Sequence, residues 1–180
     1  MKKIIIILIV VLLVLTSCSK TYMKSGVFDP TFNTNGYYKI AILPFLVRGE
    51  TGNPSQLLRD RAYTKAQTTL METGNFSLFD KFTIENTVDL FEFGSVGYVD
   101  PAKACEIGKE LGVQLVMVNE LSLTPVGNGL DIIYTAQIFD VATGIVAYSG
   151  QGRTTNPVSV EAGAEFAIDL AMKELMKKMK

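Results

Sequence analysis

The stretch VQLVMVNELSLTPVGNGLDIIYTAQIFDVATGIVAYSGQG, residues 113–152, decides the fold. It holds three runs rich in β-branched and aromatic residues, Val113–Leu123, Leu130–Val141 and Ile145–Gly152. The breaks between them, Pro125–Gly129 and Ala142-Thr143-Gly144, are turn chemistry and too short for a crossover. Three consecutive strands on tight turns make an antiparallel meander.

Helical signals flank the meander. Upstream, Asp100 caps a helix with Pro101 in its first position; Ala104, Ile107, Gly108 and Leu111 face inward, and Gly112 ends the helix in a left-handed conformation. Cys105 borders that apolar face and reads as a packed core cysteine. Downstream, Val158–Lys180 forms a closing helix with Val160, Ala164, Ala167, Ala171 and Leu175 on one side. Its acidic residues come early (Glu161, Glu165) and its lysines late (Lys177, Lys178, Lys180), the order that complements a helix dipole. The lysines read as a solvated end, with contact to anionic lipid as the alternative.

Further upstream, Tyr38–Val47 has strand composition with apolar residues at both parities, as in a strand covered on both faces. Pro44 must then sit at a bulge, an edge or the strand's end. Leu58, Ala62, Ala66 and Leu70 mark a helix over Pro54–Thr73 stopped by Gly74. Phe76–Lys81 is a short strand, and Phe82–Phe93 is a helix with Ile84, Val88 and Phe91 inward. The expected order is β-α-β-α-α-β-β-β-α. That is an α/β (α+β-like) single domain with a mixed sheet, a C-terminal meander and helices on its faces.

The N-terminus carries a separate message. Lys2 and Lys3 precede Ile4–Leu15, an unbroken Ile/Leu/Val run. At 1.5 Å per residue this makes roughly 18 Å of helix, short of a ~30 Å hydrocarbon core. It fits the h-region of a signal peptide. Leu15-Thr16-Ser17-Cys18 resembles a bacterial lipobox. The resemblance implies a signal peptide at 1–17 and cleavage before Cys18, which would carry a diacylglyceryl thioether and an N-acyl group. Ser19, which is not Asp, implies an outer-membrane destination facing the periplasm. The alternative is an uncleaved anchor with a chance cysteine. Residues 18–37, rich in polar and turn-forming types, read as the lipidated N-terminus and a short tether, with the α/β domain at 38–180.

Composition narrows the chemistry. The chain has no histidine, which removes Ser-His-Asp, Cys-His and His-containing zinc sites. With Cys18 acylated, Cys105 has no disulfide partner. The Ser17–Lys20 Ser-x-x-Lys pattern straddles the cleavage point, and Gly127-Asn-Gly129 and Gly150-Gln-Gly152 lack the third glycine of a dinucleotide fingerprint. A net charge of −1 gives no electrostatic reason to expect nucleic acid. Asp80, Glu120, Asp131 and Asp140 are the carboxylates to weigh for acid–base or metal chemistry, but no spacing unites them. No catalytic residue, metal or cofactor beyond the acyl lipid is expected. Phe91, Phe93 and Tyr98 surround the glycines of DLFEFGSVGYVD (89–100) and are the candidate partner contacts, with packing under the adjoining helices as the alternative.

KIAILPF, TGNFSLFDK, DPAKACEIGKELGVQLVMVNELS and AQIFDVATGIVAYS occur in that order. Together they resemble the superfamily of bacterial envelope lipoproteins that includes the curli secretion lipoprotein CsgG and the penicillin-binding-protein activator LpoB. The resemblance spans about Lys39–Lys180. It implies a non-enzymatic adaptor or regulator of another envelope protein, for example cell-wall synthesis machinery. The second expectation is an oligomeric subunit or accessory of a secretion apparatus. The meander turns are too short for membrane-crossing hairpins of ~9–11 residues per strand, which argues against a pore. Residues 19–36 are too short for a long arm, and Asn119-Glu120 stand where the family often has a glycine.

Overall fold

The computed structural model describes residues 22–49, 56–90 and 100–179. The signal peptide, Cys18, Pro54, Phe91, Phe93 and Tyr98 lie outside the described residues. The elements are β1 (Tyr22–Phe28), β2 (Tyr38–Ile42), β3 (Leu46–Gly49), α1 (Gln56–Thr73), β4 (Phe76–Leu78), α2 (Lys81–Leu90), α3 (Pro101–Leu111), β5 (Leu115–Val126), β6 (Gly129–Asp140), β7 (Val146–Thr155) and α4 (Val160–Lys178). They build one mixed sheet in the order β1-β7-β6-β5-β2-β4, with β3 also paired to β5. β5, β6 and β7 are antiparallel neighbours, so the meander is as expected. β2 runs parallel to both β4 and β5.

Two cores sit on opposite faces. On one, α1 and α4 bury Leu58, Ala62, Ala66, Leu70, Ala164, Ala167 and Ala171 against Ile40, Met117, Leu121, Tyr134 and Tyr148. On the other, α2 and α3 bury Ile84, Val88, Ala104 and Ile107 against Ala41, Val116 and Phe139. β2 thus has apolar contacts on both sides, which explains its unalternating composition. The local signals of α3 hold: the Asp100 side chain accepts from Ala102 N at 2.9 Å, and Gly112 has φ 63°. Ser159 caps α4 through Ala162 N at 3.2 Å. Pro44 lies in the interruption between β2 and β3.

One expectation is overturned. Residues 22–28, assigned above to the tether, form an edge strand paired along its length with β7, from Tyr22 opposite Thr154 to Phe28 opposite Tyr148. Most of its side chains are exposed, so it has no apolar alternation to read, and its backbone pairing holds it in place. Asp29 then turns the chain, its carboxylate accepting from Thr31 N at 2.7 Å and from the Thr31 hydroxyl. Those bonds hold the Asp29 carboxyl below the usual carboxylate range.

α4 is seated unusually close to β7. A Cβ on Gly152 would lie 2.0 Å from the Ala167 carbonyl oxygen, and one on Gly150 2.3 Å from that of Ala171. Backbone cannot yield as a flexible side chain can, so Gly152→Ala must push the helix off the sheet. We expect a loss of about 3 kcal/mol, at the upper end for overpacked cores. It is read as a lower urea midpoint at unchanged slope. Gln151→Ala, whose side chain points to the other face, is expected to stay within about 0.5 kcal/mol of the parent.

Candidate interaction surface at the strand break

The β2–β3 segment leads to α1 on one face of the sheet, while β4 leads to α2 on the other. Adjacent parallel strands whose connections diverge in this way open a crevice beyond their C-terminal ends, the usual ligand position in α/β sheets. A cleft of about 320 Å³ lies there, lined by Pro44, Phe45, Gln56, Arg59, Asp60, Tyr63, Lys81 and Glu85.

The break in the strand shapes the cleft's floor. Leu43 still donates its N–H to Met117 O at 2.9 Å, but Pro44 then takes the chain out of the ladder. The buried Asn119 side chain reaches into this gap. Its amide nitrogen lies 3.4 Å from Leu43 O and 3.5 Å from Met117 O, and its oxygen accepts from the Tyr134 hydroxyl at 2.6 Å. The Tyr134 ring stacks on Phe45 at 5.8 Å between centroids. A buried hydroxyl and amide each left without partners would cost about 1–3 kcal/mol, so the pair pins the break together. This gives Asn119 a structural role at the position where the resemblance expects glycine.

The walls are charged and internally balanced. Lys81 Nζ is 3.2 Å from Asp60 Oδ1 and 3.5 Å from Glu85 Oε1, and it sits 4.8 Å from the centroid of the Tyr63 ring. Gln56 Nε2 donates to Asp60 Oδ1 at 3.2 Å. Arg59 enters no ion pair among the described residues. Burial pushes the Tyr63 hydroxyl up to about 12, with Glu85 and Asp80 adding to it. It therefore stays a neutral donor. Leu57 and Phe82, next in sequence to the lining residues Gln56 and Lys81, are exposed, Phe82 at 71%. Charged walls on helices that also expose an aromatic and an aliphatic side chain suit a polypeptide partner.

The four weighed carboxylates are not brought together. Asp80 caps α2, accepting from Thr83 N and the Thr83 hydroxyl, both at 2.8 Å, which holds its carboxyl low. Glu120 pairs with Arg48 at 3.2 Å and Asp131 with Arg153 at 2.9 Å. Asp140 holds the β6–β7 turn through Thr143 N at 2.8 Å. Among the described residues no cluster of three or more metal-ligating side chains occurs. Cys105 is buried, with its sulfur 4.0 Å from Asp140 O; burial pushes the thiol up and Lys109 opposes the shift. Phe91, Phe93 and Tyr98, the sequence candidates for partner contact, fall outside the described residues.

No protein-family model and no curated protein sequence matches the chain. Solved structures do. The PelC dodecamer from Paraburkholderia phytofirmans superposes with TM-score 0.54 at 16% identity, over 87% of this chain and 98% of that one. The LpoB C-terminal domain from Salmonella enterica gives 0.49 at 18%, over 66% and 83%. Lipoprotein GNA1162 from Neisseria meningitidis gives 0.47 at 17%, over 64% and 78%. The PelC superposition, spanning nearly the whole of that chain, is a likeness of fold.

The buried phenols set a pH dependence. Tyr63 and Tyr148 are both raised to about 12 by burial, against 10.0 for a free phenol. Between those values the unfolded chain loses phenolic protons that the folded chain keeps, so stability falls as pH rises from 10 to 12. Absorbance titration should show these two phenolates forming only near pH 12. Tyr63→Phe and Tyr148→Phe should each flatten the alkaline fall in the urea midpoint.

Proposed function

We propose that this chain is a lipid-anchored envelope protein whose domain acts without catalysis, as an adaptor or regulator of another envelope protein. The observation that carries the reading is the switch-point cleft. Its acidic and basic walls already neutralise one another, Tyr63 is kept protonated, and the helices that supply the walls expose Leu57 and Phe82. Such a surface recognises a partner by shape and by satisfied polar contacts. Acylation at Cys18 would supply the rest of the mechanism. It would hold the cleft at high effective concentration beside membrane-associated partners, at the outer membrane on its periplasmic side. The partner contacts would then include Arg59 and Phe82, with Phe91, Phe93 and Tyr98 as the sequence-based candidates.

A photo-crosslinking residue at Phe82 tests this in the native envelope. It should give a discrete adduct that the same residue at Gln151 does not, and Arg59→Glu should abolish it while leaving the thermal transition in place. An adduct indifferent to Arg59, or equal from position 151, ends the reading.

A second reading, self-assembly, has its own support. β1 ends the sheet, and among the described residues no strand pairs with its outer edge. Such an edge invites another chain. The structural neighbour PelC is itself a dodecamer. Native mass measurement after detergent extraction decides: a discrete multiple of the chain mass is expected for a ring, and a single-chain mass rules it out.

A further inference from the structure

The strand register brings three distant pieces of the chain to one end of the sheet. β5 and β6 meet at their hairpin tip, with Val126 opposite Gly129. Next along β6, Asp131 is opposite Thr155 and Ile132 opposite Thr154, and Asn156 donates its N–H to Leu130 O at 2.8 Å. The loop from Asn156 to Ser159 therefore lies beside the tip, and the two line one shallow groove. Tyr22, opposite Thr154, brings the start of β1 to the same end.

This end has a distinct chemistry. Neither TPVGNGL (124–130) nor NPVSV (156–160) contains a charged residue. Val158 is 92% exposed and Val126 56%. Tyr22 packs against Phe166 of α4 with ring centroids 4.8 Å apart, and both rings remain partly exposed, as does Met23. Among the described residues the charges towards this end include Arg153, ion-paired to Asp131, Glu161 and Glu165 on the first turns of α4, and Arg61 and Lys65 beside Glu165. The two loops themselves offer a lipid surface apolar groups and no cation.

The segment before Tyr22 bears on what would cover this end. Tyr22 stands four residues after Cys18, a span of at most about 14 Å. We propose that this end of the sheet is a lipid-facing surface, with Val126, Val158 and the Tyr22–Phe166 pair resting in the interfacial zone of the bilayer. Aromatic rings and small apolar groups at that depth are typical of interfacial anchoring. The proposal rests on the anchoring of Cys18 put forward above.

The chain has no tryptophan, so a single one reports its own surroundings. Val158→Trp in the full, acylated chain, reconstituted in phosphatidylcholine vesicles, should lose most of its emission to brominated acyl chains. The loss should persist in high salt and with added phosphatidylglycerol. Ile145→Trp, exposed at the opposite end of the sheet, should keep its emission. Silence from both reporters, or equal quenching of both, overturns the proposal. So does a Val158→Trp emission that shifts to the blue with protein concentration in the absence of lipid, because a second copy then covers the end. Intact mass of the extracted chain reads the anchor separately. If acyl chains are absent the anchor reading fails, and quenching of Val158→Trp in the chain added to vesicles then decides this proposal by itself. Quenching supports it and none overturns it.

Discussion

The close seat of α4 on β7 is the constraint on which the other positions depend. Gly150 and Gly152 present bare backbone, and Ala164, Ala167 and Ala171 return a small-residue stripe, so the two elements approach nearer than any larger pair would permit. The Tyr148 hydroxyl, donating to the Ala171 carbonyl, fixes the helix along its axis. The same closeness continues to the neighbouring strand. A Cβ at Gly26 would meet the Tyr148 hydroxyl at 2.8 Å and Glu174 Cβ at 2.9 Å. β1 is thus located from two sides, by β7 through its backbone and by α4 through its glycine.

The other end of the sheet is organised around a deliberate interruption. Pro44 removes a donor, the chain swings from β2 to β3, and both pieces still pair with the long β5. A polar pair, Asn119 and Tyr134, occupies the breach in an otherwise apolar core. Buried polar groups are costly unless satisfied, and among the described residues no buried side-chain polar atom lacks a partner. The interruption moves Phe45 out beside Tyr63, and with the divergent connections of β2 and β4 this makes the cleft.

What was legible in the sequence is what local chemistry dictates. The cap at Asp100, the left-handed Gly112 and the meander turns each act within a few residues, and each is where the spacing puts it. β1 was illegible because its stability comes from backbone pairing and from the close approach at Gly26, neither of which needs an apolar pattern. The cleft was illegible for another reason. Phe45, Arg59 and Lys81 are far apart in the chain and meet only through the crossovers of a mixed sheet. The apolar end sits between these cases. Its uncharged loops can be read directly, but their meeting with Tyr22 needs the register of β1, which the tether reading had removed.

If Cys18 carries the proposed anchor, turning the tether into a strand changes how the domain can stand on a membrane. A chain free from 18 to 37 lets the domain swing; one bound to β7 from Tyr22 onward does not. With the tip on lipid, as proposed, Met117, opposite the last residue of β2, would stand nine residues along β5 from Val126. At ~3.4 Å per residue this sets the cleft about 30 Å from the tip. Because β2 and β5 are parallel, the cleft opens towards the tip and not away from it. A partner seated in it would work within that layer, between the domain and the bilayer or alongside it. Under the proposed anchoring, that geometry would suit another protein of the same membrane better than one arriving from across the envelope.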